Sequence, residues 1–279
     1  MDHHRLKQLL AEGLNNERRV TVLTGAGISA ESGIPTFRGP EGYWTIGSRV
    51  YQPQEMATLQ MFRKDPRSVW QWYLYRLGVC RQADPNPGHF ALADMEHQLP
   101  GQFTLVTQNV DNLHRKAGQS SDSTYEIHGN IHWVRCAANC GQPIMPLPDP
   151  VSVKKRDEPI SDDEWQSLHC PRCRHLLRPH VLWFDESYNE EHYRYESTLD
   201  AGRQTGLLIV VGTSGATNLP NQLVAEVYHR SGVIIDINIA SNLFGKLAER
   251  YERGMVIRQP SGIALPQIAQ QMTALLTSW

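Results

Sequence analysis

The sequence predicts an α/β protein with a doubly wound, Rossmann-like parallel sheet and a smaller inserted domain, made of a helical module and a four-cysteine zinc module. Three observations support this fold class. Short, almost continuously apolar runs recur along the chain, each followed by a helical pattern, which is typical of strands buried on both faces of a parallel sheet. One of these runs leads directly into a Gly-rich turn. Two close cysteine pairs lie in a stretch that breaks the rhythm.

The elements of the main sheet are predicted from local patterns. Residues 5–14 have apolar side chains at helical spacing and predict an opening helix. A second helix is predicted over residues 66–79. Short β-branched and apolar runs predict strands at Arg19–Thr24, Phe103–Gln108, Leu207–Gly212 and Val233–Asn238.

Two stretches interrupt the alternation of strands and helices. Residues 39–87 are rich in Trp, Tyr, Gln and Met, and residues 130–179 contain the paired cysteines and a Pro-rich, charged segment. We predict that these two stretches fold together into the smaller domain. The Rossmann-like domain then consists of residues 1–38, 88–129 and 180–279.

Composition excludes some classes of function. The 279 residues contain 27 Lys and Arg against 29 Asp and Glu, a net charge of −2, so no electrostatic argument favours nucleic-acid binding. No stretch approaches the ~20 apolar residues that a membrane span needs. The amino-terminal segment is polar and charged and has no secretory signal, so a cytoplasmic location is expected.

Four of the five cysteines form two close pairs, which predicts a metal site. Cys136 and Cys140 have C-x3-C spacing, and Cys170 and Cys173 have C-x2-C spacing. Two short loops of this kind can direct four thiolates at one Zn²⁺. Because four protein ligands leave no position for water, we expect one structural zinc per chain rather than a catalytic one. His169 and His175 flank the second pair and are expected to have packing or solvent-facing roles, and Cys80 is expected to be a small buried apolar residue.

The Gly-rich turn at Gly25-Ala26-Gly27 follows the first strand directly and loosely matches G-x-G-x-x-A. In such turns small residues let the backbone approach a pyrophosphate at a helix N-terminus. A turn required only for packing the helix on the sheet is an equally good interpretation. No clear acidic residue follows about 20 residues later, which disfavours a hydride-transferring dehydrogenase.

Polar residues recur where three predicted strands end, at 107–112, 212–214 and Asn238. Any one of these groups would be an ordinary loop cap. Because the carboxyl ends of the strands line the ligand crevice of a doubly wound sheet, their recurrence indicates a binding site. His128 adds a side chain that can act as a general base near neutral pH.

Taken in order, these motifs resemble the sirtuin family. They are GAGISAESGIPTFRG at 25–39, TQNVDNLH at 107–114, His128-Gly129, the cysteine pairs, LWFDE at 182–186 and GTS at 212–214. The resemblance extends from about Val20 to about Leu265. It implies an NAD-dependent enzyme that removes acyl groups from lysines of proteins or peptides, with a dinucleotide-binding domain and a small zinc-binding domain.

The resemblance also implies roles for individual residues. Residues expected beside the phosphates and the reacting ribose are Gly25, Ala26, Gly27, Phe37 and Arg38. Those expected to orient the nicotinamide and its ribose are Gln108, Asn109 and Asp111. Those expected beside the adenosine half are Gly212, Thr213, Ser214, Asn238 and, in a loop near the C-terminus, Ser261 with Gly262.

His128 and Asn109 are the catalytic residues implied by the resemblance. The acyl-lysine amide oxygen is a poor nucleophile, so it must be held dry and close to C1′ of the nicotinamide ribose while that carbon develops oxocarbenium character. After nicotinamide leaves, His128 would take a proton from a ribose hydroxyl, which then attacks the imidate carbon. The products would be free lysine and O-acyl-ADP-ribose.

The substrate is expected at the 181–186 segment, through Val181, Trp183 and Phe184, where an extended peptide adds a strand to an exposed edge. Two departures from the family pattern leave the peptide preference open. Many members have Gly at the position of Asp185, and the 212–220 loop is one residue longer than usual.

Ala57, Tyr73 and Arg76 resemble the set found in sirtuins that prefer acidic acyl groups such as succinyl, malonyl or glutaryl. Tyr73 and Arg76 share a helix face at i, i+3. Arg76 can pair bidentately with an acyl carboxylate, Tyr73 can donate a further hydrogen bond, and Ala57 leaves space. The alternative is that this helix only packs, with Arg76 at the surface.

Other activities stay open at this point. The same pocket could serve a plain deacetylase or a lipoyl-type deacylase. The NAD site could instead serve a protein ADP-ribosyltransferase or a non-catalytic NAD sensor, although the latter would not need His128.

Overall fold

The computed structural model describes residues 2–14, 19–35, 44–46, 49–156 and 158–277. Its helices are α1 (His3–Leu14), α2 (Ala26–Ala30), α3 (Pro53–Met56), α4 (Leu59–Lys64), α5 (Pro66–Gln82), α6 (Pro87–Gln98), α7 (Leu113–Lys116), α8 (Asp162–Ser167), α9 (Glu190–Tyr193), α10 (Tyr195–Gln204), α11 (Asn218–His229), α12 (Leu243–Arg250) and α13 (Ser261–Leu276). Within the described residues, none of these helices combines the length and the apolar character needed to cross a membrane.

The strands are β1 (Arg19–Thr24), β2 (Trp44–Ile46), β3 (Arg49–Tyr51), β4 (Phe103–Thr107), β5 (Thr124–Glu126), β6 (Gly129–Cys136), β7 (Met145–Pro146), β8 (Leu177–Val181), β9 (Thr205–Val211), β10 (Val233–Ile237) and β11 (Gly254–Ile257). Six of them form one sheet in the order β11-β10-β9-β1-β4-β5, and every neighbouring pair is parallel. The predicted doubly wound parallel sheet is confirmed, with strand ends shifted by one or two residues.

Both faces of the large sheet are covered, which explains the unbroken apolar runs. Val22 faces one cluster of buried side chains, to which α1, α6 and α13 contribute. The next residue, Leu23, faces a second cluster, to which α11 and α12 contribute. Because successive side chains of a strand point to opposite faces, a strand covered on both sides has apolar residues at most positions, and its polar exceptions, such as Thr21, are hydrogen-bonded.

A third apolar cluster unites the two stretches predicted to form the smaller domain. It includes side chains of α3, α4 and α5 from the first stretch and of β6 and β8 from around the cysteine pairs. The strands β7, β6 and β8 form a separate antiparallel sheet. α5 is longer than predicted at its end, and it begins as its sequence suggests, with Asp65 accepting a hydrogen bond from Ser68 N at 3.1 Å. The predicted domain boundaries stay a prediction.

Candidate functional site

The four paired cysteines converge on one point. Their Sγ atoms all lie within 4.8 Å of one another, with Cys136 and Cys173 3.4 Å apart and Cys140 and Cys170 3.6 Å apart. Four sulfurs at the usual Zn–S distance around a tetrahedral ion are about 3.8 Å apart. The cluster therefore fits the predicted structural zinc, while Cys80 is buried elsewhere, as expected.

The Gly-rich turn after β1 packs against the turn after β9. A Cβ at Gly27 would lie 2.6 Å from the Cα of Gly212, and Gly212 itself has a φ of +59°. The N–H groups of Gly25 and Gly27 donate to the carbonyl oxygens of Val211 and Gly212, at 2.9 and 2.8 Å. Packing thus explains these glycines, and two of the three N–H groups expected at phosphates are already used inside the protein. The N–H group of Ala26 is not a donor in any of the backbone hydrogen bonds described for turns, loops and helix caps.

Three residues at the carboxyl end of β4 join the turn after β1 in one hydrogen-bonded network. Asn109 Nδ2 donates to Gly25 O and to Ser29 Oγ, both at 3.1 Å. Ser29 Oγ donates to Asp111 Oδ2 at 2.7 Å. Gln108 Nε2 donates to Thr213 Oγ1 at 2.8 Å, which links β4 to the loop after β9. The structure therefore brings together polar residues that the sequence predicted separately at two strand ends.

Burial perturbs the ionisable member of this network. Asp111 is 6% exposed, and burial raises the pKa of its carboxyl above the ordinary value. Hydrogen bonds from Leu113 N and Ser29 and the charge of Arg76 act in the opposite direction. The charge of Arg76, on α5, therefore acts on a carboxylate at the carboxyl end of the large sheet.

His128 lies at the same end of the sheet, half-buried, with both ring nitrogens engaged. Its Nδ1 is 2.9 Å from the carbonyl oxygen of Gln108, an atom that can only accept, so Nδ1 carries the proton. Its Nε2 is then the acceptor, and it receives the hydroxyl hydrogen of Tyr188 over 2.9 Å. Burial lowers the pKa of His128 to about 4, although the hydrogen bond to Gln108 acts to raise it. The imidazole is therefore neutral at neutral pH, with Nε2 as its acceptor atom.

The residues expected beside the adenosine half lie at the ends of β9 and β10. Asn238 Nδ2 donates to Thr213 O at 3.0 Å, and Ser214 is exposed in the loop after β9. Ser261 differs from the expectation of a loop residue. It begins α13 and is buried, and its hydroxyl donates to Glu31 Oε1 at 2.6 Å. Phe37 and Arg38 lie outside the described residues.

The three residues predicted to recognise the acyl group lie in the smaller domain, on α5 and just after α3. Tyr73 is buried and its hydroxyl accepts the indole N–H of Trp183 at 2.9 Å. Arg76 is half-buried, with its guanidinium carbon 5.2 Å from the centre of the Trp72 ring. Burial lowers the pKa of this guanidinium, so its charge lies in poorly solvated surroundings. Ala57 is 3% exposed.

The segment after β8 is a turn rather than an extended edge. β8 ends at Val181, and the N–H groups of residues 182–184 already donate within the protein. Their acceptors are the carbonyl oxygens of His128 and Ala57 and the carboxylate of Glu186, at 2.9 to 3.0 Å. A peptide that pairs with this segment would therefore have carbonyl oxygens as its partners, and not these three N–H groups. Trp183 is buried and Phe184 is exposed.

Sequence reasoning missed two members of the site. Ser29 lies inside the motif that follows β1, at a fixed offset from the glycines, so a signal was present. Tyr188 has no local signal, because its contact with His128 joins residues 60 positions apart in the sequence.

Comparisons with known proteins agree with this geometry. Residues 25–218 match the model of the Sir2 family. The chain is 35% identical over 267 residues to an NAD-dependent protein deacylase of Leptospira interrogans, covering 96% of this chain and 98% of that protein. It is 36% identical over 264 residues to NAD-dependent protein deacylase 2 of Pyrobaculum aerophilum, covering 94% of each.

Solved structures show the same fold. A crystal structure of a Sir2 homologue in complex with NAD superposes with a TM-score of 0.80 at 32% identity, covering 99% of this chain and 96% of that one. A mutant Sir2 homologue in complex with 2′-O-acetyl ADP ribose superposes with a TM-score of 0.79 at 33% identity, covering 99% and 98%.

Proposed function

This chain belongs to the Sir2 family, and we propose that it is an NAD-dependent protein-lysine deacylase that favours acidic acyl groups such as succinyl, malonyl and glutaryl. Its products would be nicotinamide, O-acyl-ADP-ribose and free lysine. The observation that carries the proposal is His128, a neutral imidazole whose acceptor nitrogen lies among polar side chains at the carboxyl end of the sheet. The names of relatives that cover nearly the whole chain support the same activity.

The polar groups at the strand ends fit a dinucleotide. Gln108, Asn109 and Asp111 offer amide and carboxylate groups from one loop, as a ribose and a carboxamide require. Thr213, Ser214 and Asn238 offer further polar groups at the neighbouring strands, where doubly wound sheets bind nucleotides. When bound, NAD supplies a ribose carbon that accepts the acyl oxygen as the nicotinamide bond breaks. The four cysteines would hold a structural zinc away from this chemistry.

In the proposed reaction a ribose hydroxyl takes the place of the Tyr188 hydroxyl at His128 Nε2 and gives its proton to that nitrogen. The hydrogen bond from Nδ1 to Gln108 fixes the tautomer that leaves Nε2 as acceptor and also stabilises the charge that His128 gains. Asn109 donates to Gly25 O and Ser29 Oγ, so its amide is fixed in orientation at the carboxyl end of the sheet. These residues act mainly by positioning, because a weakly nucleophilic amide oxygen reacts only when held close to its target.

The preference for acidic acyl groups is supported by the surroundings of Arg76 and Tyr73. A guanidinium in poorly solvated surroundings binds a carboxylate more strongly than one in water, and its planar fork suits bidentate pairing. Tyr73 accepts a hydrogen bond from Trp183, which leaves its own O–H to donate to an acyl oxygen. Ala57 occupies little volume. Acylated-lysine peptides are therefore the proposed substrates.

An acyl panel tests the proposal. Matched peptides carrying acetyl-, succinyl-, malonyl-, glutaryl- and lipoyl-lysine are incubated with the protein, with and without NAD, and products are identified by mass spectrometry. We expect NAD-dependent conversion of all the acidic acyl peptides, with kcat/KM for succinyl above that for acetyl. Preference for acetyl or lipoyl would overturn the acyl assignment. ADP-ribose on an acceptor protein without O-acyl-ADP-ribose would overturn the deacylase itself.

A further inference from the structure

The carboxylate of Asp185 connects the turn after β8 to the smaller domain. Its Oδ1 accepts a hydrogen bond from Leu59 N at 2.7 Å, and its Oδ2 accepts one from Gln60 N at 3.0 Å. These are the first two N–H groups of α4, which have no acceptor inside the helix. A residue 125 positions further along the chain therefore caps a helix of the helical module.

A third hydrogen bond lies beside these two, with its donor on the turn after β8. Phe184 N donates to Ala57 O at 3.0 Å, and Ala57 is the residue between α3 and Thr58, the N-cap of α4. Three hydrogen bonds thus fasten residues 57–60 to residues 184–185. The chain next to this connection contains Trp183, which donates to Tyr73 on α5.

The other end of the same turn is bonded to the backbone of the proposed base, His128. Leu182 N donates to the carbonyl oxygen of His128 at 2.9 Å. Residues 182–185 therefore bridge the proposed base and the module that carries Ala57 and Tyr73. His128 has its own supports, Gln108 and Tyr188, so loosening the Asp185 end leaves the base in place.

We propose that Asp185 is a positioning residue that determines acyl selectivity, because its carboxylate fixes the first turn of α4, next to Ala57, against the turn that carries Trp183. This inference rests on the proposed function. Without the carboxylate, the Phe184–Ala57 bond is the one left of the three hydrogen bonds, so the spacing between Ala57 and the Tyr73–Trp183 pair is held less tightly and an acyl group that must reach Arg76 is held less accurately. A short acetyl group depends less on that spacing.

Asp185→Ala tests this inference, with Asp185→Asn as the conservative variant and Thr58→Ala as the matched control. Thr58 Oγ1 accepts a hydrogen bond from Met61 N at 3.0 Å and donates one to Glu55 O, so it caps the same helix through bonds within the module. Loss of either cap weakens α4 by a similar amount. Of the two changes, loss of the Asp185 carboxylate is the one that removes hydrogen bonds between α4 and the turn after β8, while the Phe184–Ala57 bond remains in both variants.

The readout is the ratio of kcat/KM for succinyl-lysine and acetyl-lysine peptides, with melting temperature recorded for each variant. We expect Asp185→Ala to lower the ratio by about tenfold, mainly through KM for the succinyl peptide. Asp185→Asn keeps one acceptor oxygen, so its succinyl-to-acetyl ratio should lie between the ratios of Asp185→Ala and the parent. Thr58→Ala should lower the melting temperature but keep the ratio within about twofold. If Asp185→Ala does not fold, Asp185→Asn carries the test.

An unchanged ratio in the Asp185 variants, or an equal fall in Thr58→Ala, would overturn the inference. The parent protein separates this failure from failure of the proposed function. If the parent prefers another acyl group, the acidic preference is wrong, and the selectivity ratio is then taken between its best and its second-best acyl substrate. A ratio that still depends on Asp185 would keep the positioning role.

Discussion

Replacing Arg76 with methionine removes the cation proposed to bind the acyl carboxylate and leaves a side chain of similar length. Arg76 lies 5.2 Å from the Trp72 ring centre, half-buried, where burial already lowers its pKa. Removing one partner of a desolvated charge pair leaves the other without compensation and costs about 2–3 kcal/mol in measured complexes. That cost corresponds to a fall of about 30- to 150-fold in kcat/KM for succinyl-lysine peptides.

The assay compares succinyl- and acetyl-lysine peptides of one sequence at saturating NAD. Acetyl-lysine has no carboxylate, so its kcat/KM should change by no more than about threefold. Arg76→Lys keeps the charge but loses the planar fork and should retain part of the succinyl activity. Arg81→Met is the matched control, because Arg81 is an exposed arginine near the end of the same helix.

Equal losses on both peptides in Arg76→Met would refute the carboxylate role. That result would assign Arg76 to packing on Trp72 or to the electrostatics of Asp111, whose pKa it lowers. Loss of activity in Arg81→Met would show instead that α5 tolerates no change of charge.

Three further predictions concern the metal, the base and the sheet. Cys173→Ser should lower the melting temperature and reduce bound zinc, measured by atomic emission, below one ion per chain. A zinc content of one per chain in this variant would contradict the four-thiolate site. Tyr188→Phe removes a donor that stabilises neutral His128, so the acid limb of the kcat/KM profile should move to higher pH by up to about one unit. Tyr195→Phe is the control and should leave the acid limb in place, because the hydroxyl of Tyr195 bonds Gln222 and not His128. Burial raises the pKa of Asp236 from 3.8 to about 6, so the folded protein binds this proton more tightly than the unfolded chain does. The protonated carboxyl therefore contributes stability that is fully present below pH 4 and is lost as the pH rises through 6. Relative to Asp236→Asn, the wild-type free energy of unfolding should therefore fall by up to about 3 kcal/mol between pH 4 and 7 in denaturant titrations, and parallel profiles would refute this.

The large sheet was predictable because its strands are buried on both faces. Val20, Val22 and Leu23 fill two cores at once, and that requirement appears directly as a short run of β-branched and apolar residues. The cysteine cluster was predictable for a similar reason, since metal ligands within short loops impose a spacing on the sequence. In both cases the physical constraint acts between residues that are close in the chain.

Contacts between distant residues were not predictable in this way. In the sequence, residues 182–186 look like a continuation of β8. In the structure, Asp185 and Phe184 form hydrogen bonds with residues 57–60, which no local sequence pattern predicts. The turn after β1 illustrates a second limit. The glycines there were consistent with phosphate binding and with packing. The 2.6 Å approach of a Gly27 Cβ to Gly212, two residues far apart in the sequence, shows that packing requires glycine at position 27, while phosphate contact stays a prediction.

The most direct test of the deacylase assignment compares the parent protein with His128→Ala, using NAD and a succinyl-lysine peptide. O-acyl-ADP-ribose is measured by mass spectrometry and NAD binding by calorimetry. We predict that the parent forms this product, and that His128→Ala still binds NAD but forms the product about 10²- to 10⁴-fold more slowly. Undiminished product formation by His128→Ala, or no NAD-dependent product from the parent, would contradict the account.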